Sequence, residues 1–122
     1  MESIKSRRLK IKMQLTMKLN EIIKALRRNT INDLLGEKFS DIDYEKIILY
    51  AEFTVGVDTI YRFFKSKKGL GKIVKDGEMT YERLCSLKEL SFLINYYLSQ
   101  YDRKTDDILA IDIIDHLDNP NF

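Results

Sequence analysis

Leu9, Ile11, Met13, Leu15, Met17 and Leu19 alternate with polar or basic neighbours over residues 8–19, and a period of two predicts a strand. Leu15, Leu19, Ile22, Ile23 and Leu26 also lie at helical spacing, so a short strand or extended arm should give way to a helix near Thr16. That helix is expected to run through Arg27 and Arg28 to Leu35 and to stop at Gly36, which enters left-handed backbone readily. Ser40, Asp41 and Asp43 then offer cap oxygens before the stripe Tyr44, Ile47, Ile48, Ala51 and Val55, which predicts a second helix broken by Gly56.

A third helix is expected over residues 57–67, with Val57, Ile60 and Phe64 on its buried stripe and Thr59, Arg62 and Lys65 turned outward. Gly69 and Gly71 end it. Residues 72–75 and 78–81 flank Asp76-Gly77, a dipeptide suited to a tight hairpin, so two strands are predicted here, with the N-terminal strand as a candidate third. From Tyr81 the pattern turns helical again: Leu84, Leu87, Ser91, Ile94, Leu98 and Tyr101 form a seam that Leu90, Leu93 and Tyr97 widen. A final helix from Thr105 to Leu117 precedes Pro120.

At 122 residues the chain suits one domain, or a small domain with a helical extension, without disulfide or metal support. Cys85 is the single cysteine, no charged-then-apolar leader opens the chain, and no apolar run reaches membrane-spanning length, which together imply a cytoplasmic protein that does not enter a membrane. The net charge of +2 conceals a polarised chain. Residues 1–38 hold ten Lys or Arg against four acids, residues 62–75 hold six basic residues and no acid, and residues 76–122 hold ten acids against four basic residues.

The string TIYRFFKSKKGL at residues 59–70 resembles the third-helix signature of TetR-family repressors. That resemblance implies that Thr59 and Tyr61 touch phosphates and that Lys67 lies just past a recognition helix. The order of helix, turn, helix and hairpin resembles winged helix-turn-helix regulators more closely, because those place a hairpin directly after the recognition helix. The expected fold is therefore mainly α with a small β-hairpin wing: a winged helix-turn-helix domain over residues 1–82 and a C-terminal helical extension over 83–122. On this reading Arg62, with Thr59, reaches base edges, while Tyr61, Lys65, Lys67, Lys68, Lys72 and Lys75 hold the DNA backbone. An Arg62 guanidinium held in an internal ion pair would remove that readout.

Leu84, Leu87, Ile94, Leu98 and Tyr101 are read as a homodimer or partner interface, since the seam exceeds what one flank of a small domain buries. Asp112 and His116 lie four apart on a helix, but no second His or Cys is present to complete a transition-metal shell, so no metal and no cofactor are assigned. With one His, one Cys and no phosphate-cradling glycine loop, catalysis is not expected. Two functions follow. The first is a small regulator of transcription or replication, of a phage or mobile element, that binds double-stranded DNA. The second is a helical protein-binding inhibitor or adaptor, in which the basic region meets an acidic protein and the aromatic seam meets another helix.

Overall fold

The computed structural model describes residues 17–36, 41–66 and 70–118. The decisive local choice is made at residues 47–52. Ile47, Leu49 and Ala51 point to one side of an extended segment and Ile48 and Tyr50 to the other, so both faces are buried. A strand covered on both sides reads as a continuous apolar run, and helical spacing can be drawn through it equally well. Its β-branched and aromatic content favours the strand. The same holds at Ile60–Lys65, where Tyr61 and Phe63 enter one core and Phe64 the other.

The described residues form β1 (Met17–Lys18), α1 (Leu19–Arg27), α2 (Ile31–Leu35), α3 (Asp41–Tyr44), β2 (Ile47–Glu52), β3 (Ile60–Lys65), β4 (Ile73–Asp76), β5 (Met79–Ser86), α4 (Leu87–Gln100) and α5 (Asp106–Asp118). The strands make one antiparallel sheet in the order β1-β3-β2-β5-β4. The mainly α winged helix-turn-helix expectation is thereby corrected. Its second and third helices are the adjacent strands β2 and β3, paired from Ile47 with Lys65 to Ala51 with Tyr61.

The expected hairpin over residues 72–81 forms, with Ile73 opposite Glu82 and Asp76 opposite Met79. The turn's central pair is Gly77-Glu78, one residue later than Asp76-Gly77, and only Gly77 has a positive φ, 65°. That places the glycine at the first central position, as a type II′ turn requires. The N-terminal strand does join the sheet, but β1 pairs with β3 at the edge opposite β4. The alternation over residues 8–16 lies outside the described residues.

The first predicted helix is two. Asn29 takes a left-handed φ of 61°, and the amides of Asn29 and Thr30 donate to the carbonyls of Leu26 and Ala25 at 3.3 and 2.9 Å. This is a Schellman closure with asparagine in place of glycine. Gly36 ends α2 with a φ of 76°, as expected. Helix α4 begins at Leu87, where the sequence pattern placed a helix from Tyr81, because Ser86 and Glu89 close a reciprocal capping box: the Glu89 amide donates to Ser86 Oγ at 3.0 Å and the Ser86 amide to Glu89 Oε1 at 3.1 Å. Thr105 caps α5 as predicted, with its Oγ1 accepting from the Ile108 amide at 3.2 Å.

One face of the sheet and the helices α1, α4 and α5 share a single core that runs from Leu19 and Ile22 through Leu49 and Phe63 to Leu90 and Ile113. A division at residue 82 falls inside β5 and would cut that core. Along β5, Leu49 pairs with Cys85 while Tyr50 pairs with Arg83, so Leu84 is the extra residue of a β-bulge, and both Leu84 and Cys85 belong to the core. The other face carries a second, smaller cluster of Ile48, Tyr50, Phe64 and Tyr81. Phe64 lies 4.7 Å from Tyr50 and 5.2 Å from Tyr81 between ring centroids, and Leu70 packs over the group. Tyr50 Oη donates to the Gly71 carbonyl at 2.6 Å, tying the connection between β3 and β4 to this face.

Candidate functional site

Among the described residues, those assigned to DNA are spread over the sheet: Tyr61 is buried in the core, Arg62 is ion-paired between strands, and Lys72 and Lys75 lie at the edge strand β4. Tyr61 is 0% exposed, and its Oη donates to the Gly56 carbonyl at 2.8 Å and accepts from the Gly56 amide at 3.2 Å, so it braces the loop between β2 and β3. Burial pushes this phenol up to about 12. Arg62 Nε donates to Glu52 Oε2 at 2.8 Å, an ion pair between neighbouring strands. Both side chains are half-buried. Thr59 is half-buried just before β3, and Lys65 is half-buried at its end. Lys72 and Lys75 are exposed on and beside the edge strand β4, while Lys67 and Lys68 lie outside the described residues.

The expected interface is redistributed in the same way. Leu84, Leu87 and Ile94 are buried in the chain's own core, Leu98 is half-buried against it, and Tyr101 is exposed at the end of α4. The surface that α4 offers lies elsewhere. Phe92 is 68% exposed and Tyr96 44%, one helical turn apart on the same face. Sequence reasoning passed over both, although a signal existed: two large aromatics four apart fall outside the seam and outside the residues that widen it.

A groove of about 520 Å³ opens beside Phe92, with Leu93 and Leu117 in its lining and Glu45, Lys88 and His116 among its polar residues. Lys88 and Glu45 form an ion pair in its lining, and the Lys88 hydrogen bond and charge hold the Glu45 carboxyl below its ordinary range. Tyr96 and Tyr97 meet edge to face at 5.1 Å, and the His116 ring lies 6.3 Å from Tyr96 and 6.0 Å from Tyr97. Tyr97 is fixed from two further sides. Its Oη lies 3.2 Å from His116 Nδ1, and the Lys104 ammonium stands 4.9 Å from its ring centroid. Burial raises the Tyr97 phenol above its ordinary value. Tyr96 therefore stands on a braced floor of Tyr97 and His116, a geometry that limits the entropy lost when it docks.

Asp112 and His116 make internal contacts. Lys104 donates to Asp112, His116 faces Tyr97, and among the described residues no group of three His, Cys, Asp or Glu could hold a metal ion. Cys85 is fully buried, and burial raises its thiol well above the ordinary range, so its nucleophilic form is suppressed. Among the described residues no helix is long and apolar enough to cross a membrane. No protein-family model, no curated protein and no solved structure matches the chain.

Proposed function

We propose that the protein is a protein-binding module of the inhibitor or adaptor kind, which engages its partner through the exposed aromatic face of α4. The observation that carries this reading is the pair Phe92 and Tyr96, held outward beside an apolar groove on a helix whose other face is sealed in the core. Large aromatics supply much contact area at little rotamer cost, and anchors of this kind dominate protein interfaces. Flanking charges from Lys88, Glu45 and Glu89 make a polar rim. The DNA reading is the weaker one: it has lost its recognition helix, Tyr61 and the base-reading Arg62, and keeps only exposed lysines such as Lys72 and Lys75 for phosphate contact.

The test compares wild type with the Phe92→Ala, Tyr96→Ala double variant in affinity capture from extracts of the native host. Wild type should retain one protein in stoichiometric amount, and the variant should lose it while still folded, with a cooperative melting transition lowered by only a few degrees. Equal retention by both, or retention of duplex DNA that weakens steeply as salt rises, would contradict the proposal.

A further inference from the structure

Residues 106–118, DDILAIDIIDHLD, carry five aspartates and neither lysine nor arginine. Three of those carboxylates are engaged within the chain: Asp106 by Arg27, Asp107 by the Asn20 amide and Asp112 by Lys104. Asp115 has no ion pair among the described residues. Helical geometry puts Ile108, Ile111 and Asp115 on one stripe, turned away from the core positions Leu109, Ala110, Ile113 and Ile114. Both isoleucines are 47% exposed. With Asp115 on it and the exposed Asp118 on its flank, this stripe has a defined complement: apolar groups to cover the isoleucines and cations to meet the carboxylates.

We propose that this stripe of α5 receives a Lys- or Arg-rich amphipathic segment of the partner protein, with its apolar side chains on Ile108 and Ile111 and its cations facing Asp115. The inference rests on the protein-binding function proposed above and names the chemistry of the partner. Charge selects the occupant. A second copy of the chain laid on the same stripe would bring two α5 helices of like charge together, an acidic segment would meet the same repulsion, and a neutral one would gain nothing from Asp115. At 1.5 Å per residue α5 is about 20 Å long, so an incoming helix of about three to four turns matches it. The stripe adjoins the aromatic face through Asp112 and His116, which occupy the flank of α5 that meets Tyr97 and Lys104.

The probe is a helical peptide of about 15 residues, with leucines on one face and lysines on the other, titrated into the full chain while amide chemical shifts are followed. A glycine-lysine peptide of equal charge serves as the control. The leucine-lysine peptide should shift residues around Ile108, Ile111 and Asp115. Changing both isoleucines to serine should weaken it roughly tenfold or more. Asp115→Asn should cost several-fold at low salt and less at high salt. Phe92→Ala should leave the peptide in place. Equal binding of the glycine-lysine peptide, shifts centred on Phe92 and Tyr96, or indifference to the serine substitutions would overturn the inference. So would sedimentation as a dimer that the same serine substitutions disperse, because a second copy would then be the occupant. Capture of a partner through Phe92 without peptide binding on α5 removes this inference alone. Peptide binding on α5 without that capture removes the proposed function alone.

Discussion

Arg62 shows how a single side chain changes its meaning with its backbone. On a helix it would stand outward as a base reader; on β3 it faces Glu52 of β2 and holds two strands in register. Both groups are half-buried, so the pair is expected to contribute about 1 kcal/mol, which a double-mutant cycle with Arg62→Ala and Glu52→Ala measures directly. Tyr61 makes a pH-dependent contribution. Its folded value, pushed by burial to about 12, lies above the ordinary 10.0, so the stabilisation is complete below pH 10 and is lost as pH rises through 12. That loss should approach about 3 kcal/mol, and denaturant titrations should show a shallower alkaline decline for Tyr61→Phe than for wild type. Burial also raises Tyr50 and Tyr97, so the variant should keep a residual slope. Phe53 is exposed and holds a φ of 68°, a conformation costly for any residue with a Cβ. Phe53→Gly should therefore raise stability by about 0.5 to 1 kcal/mol in the same titrations.

Elements with local punctuation were the legible ones. Gly36 marked the end of α2, Thr105 the start of α5 and Gly77 the hairpin, because caps and turns are written in a few adjacent residues. Ser86 carried the same kind of signal: Ser-Leu-Lys-Glu before an apolar run closes a helix start and would have released residues 79–86 to the sheet. Ser86→Ala should cost about 1 kcal/mol and fray the first turn of α4, which amide exchange of Glu89 reports. Strands β2 and β3 carried no such mark. Ile47, Ile48, Tyr50 and Phe64 are apolar on both faces because a second cluster covers the far side of the sheet, and periodicity cannot tell such a strand from a buried helix. The exposure of Phe92 and Tyr96 was hidden for a related reason. Which flank of α4 is sealed depends on where the sheet and α5 lie, and those positions are set by pairings distant in sequence.

Across the whole molecule, one core joins the first and last helices to the sheet, so the C-terminal helices belong to the domain rather than extend from it. The surface is what varies. The edge strand β4 carries exposed Lys75, with Lys72 just before it, while the helical layer carries Phe92 and Tyr96 beside the stripe of α5 that holds Asp115. Phe92 is mostly exposed and contributes little to folding, whereas Tyr96 also packs on Tyr97, so Phe92→Ala should change stability by less than about 0.5 kcal/mol and Tyr96→Ala should cost about 1 kcal/mol, while the two together abolish partner binding. The most direct measurement places a photo-crosslinking phenylalanine analogue at position 92, and separately at position 75 on β4, in the native host. The account predicts a discrete protein adduct from position 92 and none from position 75. Adducts to nucleic acid, or a protein adduct from position 75 alone, would contradict it.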